Sequence, residues 1–306
     1  MDISALTHQM VILFSILFLA YGATKLGLLP KNANKPISSL ILNLTCPATI
    51  LYSMVTSTRS LGNGDVLYIL GLAVVIHGLF MVLGQLMVTA VKAPKGNRGV
   101  YRAMIVQANV SFLGFPLIRS LFGTEGLFIA SIYNIIFNLV SYTYGTSQLA
   151  SRPEDKRLSL KMFCTPVLLC SYLGLILYFT NIPLPGTVVD ILASLDQITS
   201  PASMVVIGCA LANIPIGQVF TNWRVYVGVF VRLILAPVVV WLILKPFVQS
   251  EMILQVLVAV SALPSATNIT LLTSQYDGDV KTASSGLFLT TVLSILTLPA
   301  LLEILF

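Results

Sequence analysis

The chain has 306 residues, 57% of them hydrophobic and only 9% charged, with a formal net charge of +6 and a mean hydropathy of +0.93. An average soluble domain carries about 25% charged residues, so this composition excludes a water-soluble globular fold. The basic excess is gathered in a few loops and is no signal for nucleic acid. Cys46, Cys164, Cys170 and Cys209 all lie in apolar spans without metal-ligand spacing, and read as small core hydrophobes.

Apolar runs longer than about 18 residues recur from end to end. Taken in order, they predict ten transmembrane helices at 9–29, 36–57, 66–91, 98–122, 125–148, 162–181, 188–211, 222–244, 252–274 and 281–305. The first is too long for a signal peptide and has no small-residue cleavage site after it, so it reads as a span. The short loops leave no room for a soluble domain. Lys25, Lys31 and Lys35 follow span 1, Lys92, Lys95, Arg98 and Arg102 follow span 3, and Arg152, Lys156, Arg157 and Lys161 follow span 5. With Arg224 and Lys281 after spans 7 and 9, thirteen of the 17 basic residues lie on one side, against Arg59, Arg119 and Lys245 on the other. By the positive-inside rule the odd-numbered loops are cytoplasmic and both termini extracytoplasmic.

The halves resemble each other at an offset near 154 residues. Leu44-Thr-Cys-Pro47-Ala matches Ile198-Thr-Ser-Pro201-Ala, and Gly123-Thr-Glu125 matches Asp277-Gly-Asp279. Five spans is an odd number, so the second half enters the membrane inverted. The expected fold is all-α, with a first five-helix repeat at 1–148, a cytoplasmic linker at 149–161 and a second, inverted repeat at 162–306.

Two spans carry breaks in corresponding places. Asn109-Val-Ser-Phe-Leu-Gly-Phe-Pro116-Leu117 interrupts span 4, and Ala262-Leu-Pro264-Ser-Ala-Thr-Asn268 interrupts span 9. Gly114 and Pro116 weaken a helix within two residues of each other, and in hydrocarbon the freed backbone groups need protein or water. Asn109 is about 11 residues, or roughly 16 Å, from its membrane edge, which is mid-depth. Helix N-termini beside such breaks present free N–H groups that suit a carboxylate, and Asn amides can donate to the same anion. The bland alternative is that Asn109 and Asn268 cap helix ends or glue helices together; two breaks at matching depth favour a site.

The substrate-binding candidates are therefore Asn109, Ser111, Gly114, Pro116, Pro264, Ser265, Thr267 and Asn268, together with the mid-span Pro47 and Pro201, which read equally as kinks or cavity walls. Arg232 is the permanent charge near the centre of a span. It serves as a counter-charge for an anion or as the partner of Asp196 in span 7. His77 in span 3 is a packing residue or a proton relay. Glu125, Asp277 and Asp279 begin spans and are expected to cap them.

Gly62-Asn-Gly-Asp65 and Tyr276-Asp277 are superficially like intramembrane aspartyl protease motifs, but their order is reversed and the topology sets them on opposite faces. There is no HExxH zinc pair and no Gly-rich phosphate loop with lysine, so neither an enzyme, a metal site nor an ATP-driven pump is expected. A channel would offer a ring of carbonyls or charges instead. The reading is a secondary carrier; a receptor that binds its ligand on the same fold without net transport is the alternative.

Asn109-x-x-Phe-x-Gly-x-Pro116 with Gly123-x-Glu125-Gly126, Cys46-Pro47-Ala48 and Leu263-Pro264 with Asn268 resembles the auxin efflux carrier family along essentially the whole chain. The compact size is similar to that of the bacterial branch, annotated for malate, malonate and other organic acids in the inner (cell) membrane. The resemblance implies a fold shared with bile-acid symporters and sodium/proton antiporters. Helices 1, 2, 6 and 7 would be a scaffold that forms a homodimer, and helices 3–5 and 8–10 a moving transport domain in which helices 4 and 9 cross at their breaks. It also implies an organic anion held at the crossover between Asn109 and Asn268, with Pro116 and Pro264 shaping the breaks and no cofactor. Where plant members have an acid and a lysine in span 3, this chain has only His77 and Gln85, so coupling to protons, to sodium or to neither stays open.

Overall fold

A computed structural model describes residues 3–57, 62–149, 163–276 and 278–306. The expected linker at 149–161, with its basic residues, falls almost wholly outside them, as do Arg59 and Asp277. In chain order the helices are α1 (Ile3–Lys25), α2 (Asn34–Leu40), α3 (Cys46–Thr56), α4 (Asn63–Ala90), α5 (Arg98–Val106), α6 (Phe115–Val140), α7 (Thr146–Leu149) and α8 (Pro166–Thr180). There follow α9 (Gly186–Ala212), α10 (Ile216–Val219), α11 (Trp223–Phe230), α12 (Ala236–Leu244), α13 (Glu251–Ser261), α14 (Asn268–Gln275) and α15 (Val280–Leu305). Among the described residues, seven helical stretches are long and apolar enough to cross a membrane, one of them the 40-residue run Val110–Leu149. Pro166–Thr180 and Glu251–Ser261 are shorter apolar helices. The protein is an all-helical, multi-pass membrane protein.

Two local devices shape these helices. Wide π-turns at Ile41–Thr45, Val110–Gly114 and Val231–Leu235 run directly into helices whose second residue is Pro47, Pro116 and Pro237. A proline ring crowds the carbonyl four residues back, and the wider turn moves that carbonyl aside without ending the helix. Within α6 the chain turns sharply at Gly123, where φ 63° and ψ −157° define a backbone region open to glycine alone.

The chain divides into two compact units. The first gathers residues 1–72, 111–136 and 159–213. In it α1 lies along α9, and α3 packs against α8 and α9. The α1–α9 approach is close at Gly208, where a Cβ would run into the Leu17 carbonyl and Ala20. Thr24 Oγ1 donates to Ala20 O at 2.8 Å and lies 3.2 Å from Cys209 Sγ, while Thr49 and Thr199 share a hydroxyl bond of 2.9 Å. Asp196 is 3% exposed, and its carboxylate pairs with Arg119, whose guanidinium lies 5.5 Å over the Tyr52 ring. Arg119, read from sequence as lying within span 4 towards its outer side, is part of α6 and takes the carboxylate that sequence offered to Arg232.

The second unit gathers residues 73–110, 137–158 and 214–306. Here α15 is the central element, packed by α5, α10, α11 and α14, while α12 and α13 lie side by side. Asp279 caps α15 as expected, accepting from Thr282 N at 3.0 Å, and it also accepts from the Asn97 amide. Gly286 leaves room for Met104, the side chain through which α5 seats on α15.

Candidate functional site

The site builds up from two helices that stop short inside the second unit. The helix α5 ends at Val106, and Gln107 beyond it is extended (φ −92°, ψ 102°). Likewise α13 ends at Ser261, and the chain stays irregular until Asn268 opens α14. The two interruptions meet as an antiparallel bridge between Ala108 and Ser265. Asn109 N–H donates to Pro264 O at 2.9 Å, and Ala266 N–H donates to Gln107 O at 2.9 Å. Ser265 Oγ donates to Met104 O at 3.0 Å, and Ser265 N–H donates to Thr290 Oγ1 at 3.2 Å. Backbone groups that would be costly in hydrocarbon are in this way satisfied by the opposite break.

Arg232 completes the arrangement. Wholly buried, it donates from Nε to Leu263 O at 2.9 Å and from Nη1 to Ile105 O at 2.8 Å, with its guanidinium 4.9 Å over the Phe80 ring. Those carbonyls belong to the ends of both interrupted helices. Each helix C-terminus carries roughly half a negative charge, so one guanidinium neutralises the pair. His77, the other buried ionisable candidate, sets Nδ1 2.7 Å from Ala73 O and lies edge-on to Phe80 and tilted against Phe137.

Of the candidates named from sequence, Asn109, Pro264 and Ser265 come together at the bridge. Asn109 is 2% exposed, and its Nδ2 has no hydrogen-bond partner among the described residues. Thr267 is half-buried and Asn268 exposed at the start of α14; the hydrogen bond that mirrors Asn109 N–H comes from Ala266. Ser111, Gly114, Pro116, Pro47 and Pro201 belong to the first unit. There Ser111 bonds the Cys46 thiol beside the buried Pro47, whereas Pro201 is exposed within α9. The interruption in span 4 begins at Gln107, upstream of Gly114 and Pro116, because the π-turn Val110–Gly114 absorbs the proline.

Gln107 is the residue that motif reasoning passed over. It is 0% exposed, and neither Oε1 nor Nε2 has a hydrogen-bond partner among the described residues. Its amide lies against Gly145, in the π-turn Ser141–Gly145, where a Cβ would overlap Nε2. A polar residue one position before the break residue Ala108 was the available signal. No cluster of metal-ligating side chains exists among the described residues.

Sequence comparison finds relatives along nearly the whole chain. An uncharacterized transporter of Methanocaldococcus jannaschii is 24% identical over 301 residues, covering 94% of this chain and 95% of its own. One from Methanothermobacter thermautotrophicus is 24% identical over 294 residues, 96% of each chain. A Rhizobium meliloti protein, proposed by its name to be a malonate transporter, is 23% identical over 306 residues, covering 94% of this chain and 92% of its own. The model of the membrane transport protein family matches residues 5–159 and 155–302. With its interrupted helices meeting at mid-chain partners and a family match along nearly its full length, the chain belongs to the membrane transport proteins of the auxin efflux carrier family.

Proposed function

We propose that the protein is a secondary carrier of small organic carboxylates that works by alternating access, with the anion held beside the crossing of helices 4 and 9. The observation that carries this reading is the bridge of Ala108 and Ser265, which ties two interrupted helices at full burial next to Asn109, whose Nδ2 has no hydrogen-bond partner among the described residues. Interrupted helices in corresponding positions are where carriers bind substrate. The Rhizobium relative, named for a dicarboxylate, supports the substrate class.

The topology proposed with it is ten helices in two inverted five-helix repeats, both termini extracytoplasmic, in the cell membrane. With it goes an elevator-type motion of spans 3–5 and 8–10 against a dimeric scaffold of spans 1, 2, 6 and 7. The two compact units group spans 1, 2, 6 and 7 in one and spans 8–10 in the other, with spans 3, 4 and 5 divided between them. Purified protein in liposomes should take up labelled malate, malonate, succinate, lactate or indole-acetate without ATP. If none of the five moves or binds, the carboxylate reading falls. Saturable binding without flux would favour the receptor.

A further inference from the structure

We propose that Gln107 is a specificity-determining residue of this site, selecting a carboxylate that also brings an O–H donor: a hydroxy acid or a half-protonated dicarboxylate. The proposal rests on the carboxylate-carrier reading and goes beyond it by assigning a residue and a substrate feature.

At the crossover the backbone accounts are almost closed. Met104 O, Ile105 O, Gln107 O, Leu263 O and Pro264 O each accept a hydrogen bond, and the N–H groups of Asn109, Ser265 and Ala266 each donate one. Side-chain amide at the crossover stays without a partner among the described residues: both polar atoms of Gln107 and Nδ2 of Asn109, all of them buried. Turning the Gln107 amide over exchanges its oxygen and nitrogen and leaves one donor and one acceptor either way. Folded proteins rarely keep such groups unpaired, and a binding site is a common reason when they do.

The donors and the acceptor ask for different things. A bare carboxylate accepts only, so it can take bonds from the Asn109 and Gln107 N–H groups and leaves Gln107 Oε1 unpaired. A ligand with an O–H near its carboxylate satisfies all of them. Gly145 makes room for the Gln107 amide itself, since any side chain there would displace it, and it does so from a π-turn, a distortion frequent at functional sites. Arg232 is already engaged by two carbonyls, which leaves the neutral amides to discriminate between anions.

Sites built to pair a substrate hydroxyl reject the analogue that lacks it, because the protein atom is left stranded. Malate and succinate differ by that one hydroxyl. In reconstituted wild-type protein near neutral pH, malate should bind roughly tenfold or more tightly than succinate. Succinate should gain on malate at about pH 5, where its second carboxyl is half-protonated, if a protonated acid serves as well as a hydroxyl. Gln107→Met keeps the length and removes both polar atoms. It should reduce the malate preference to within about twofold while melting no lower than wild type without ligand. Gly145→Ala, which crowds the amide without altering it, should lose the preference in the same way. Equal binding of malate and succinate at both pH values by the wild type, or a Gln107→Met protein that keeps the preference, would overturn the assignment with the carrier reading intact. If neither acid binds the wild type at all, the carrier reading and this one fail together.

Discussion

Arg232 illustrates how a buried charge can belong to the backbone. Its guanidinium bonds Ile105 O and Leu263 O, while Asp196 is paired with Arg119 in the other unit. Arg232→Met should therefore act on stability, since stranding two buried carbonyls costs about 1–3 kcal/mol each. Asp196→Asn should add its own cost independently, and the double change should be additive to within about 0.5 kcal/mol. Thermal unfolding in detergent measures both; rescue of either single change by the other would mean that the two residues are partners after all. Asn109 should behave in the opposite way. Its Nδ2 has no partner to lose among the described residues, so Asn109→Ala should leave the melting temperature nearly unchanged and weaken carboxylate binding roughly 10- to 150-fold, the value of about 1.5–3 kcal/mol for a bond to a charged group. Asn109→Asp would set a carboxylate against the substrate's own, and transport should collapse at neutral pH and return in part on acidification. Unimpaired transport by Asn109→Asp at neutral pH would place the anion elsewhere.

At the scale of elements, the crossover is held by groups contributed from far along the chain. Ser265 N–H has its acceptor in Thr290 of α15. Thr290→Val keeps the shape and removes that acceptor, so the protein should lose about 1–3 kcal/mol of stability, read as a lower melting temperature in detergent; an unchanged melting point would mean that the bond contributes nothing. Such dependence explains what was legible in the sequence. Pro264 stands inside its interruption and marks it, because it supplies one of the bridging carbonyls itself. Pro116 marks a π-turn instead, and the helix leaves its course earlier, at Gln107, because of a pairing with Ser265 that no local pattern encodes. Arg232 at mid-depth was visible as an unusual charge, but carbonyl partners have no signature in sequence, so reasoning from residue types reached for a carboxylate. Gln107 was only faintly marked, by its polarity beside the break, for the same reason. Nothing in Val106-Gln107-Ala108 shows that this amide, unlike a glutamine on a solvated face, finds no partner among the described residues.

For the whole molecule, the distribution of charge decides what can drive transport. In the second unit the described carboxylates Glu251, Asp279 and Glu303 all lie at helix ends. A hard cation needs several oxygens free of a competing positive charge, and at the crossover the Arg232 guanidinium already holds the carbonyls of both helix ends. Among the described residues of the second unit, His77 is a buried side chain that could carry a proton, and its ring is packed between Phe80 and Phe137 with Nδ1 at the Ala73 carbonyl. If the anion moves without a coupled cation, the membrane potential is the driving force. The sign follows directly: an anion entering a liposome is drawn by an inside-positive potential. One elementary charge gains about 2.3 kcal/mol per 100 mV, so a monoanion such as lactate should accumulate roughly 50-fold at equilibrium for each 100 mV imposed by a potassium diffusion potential. Replacing external sodium with choline should leave that accumulation unchanged, and His77→Gln should not abolish it. Lactate accumulating down a sodium or proton gradient with the potential clamped at zero, and failing to respond to the potential alone, would show that a cation travels with the anion after all.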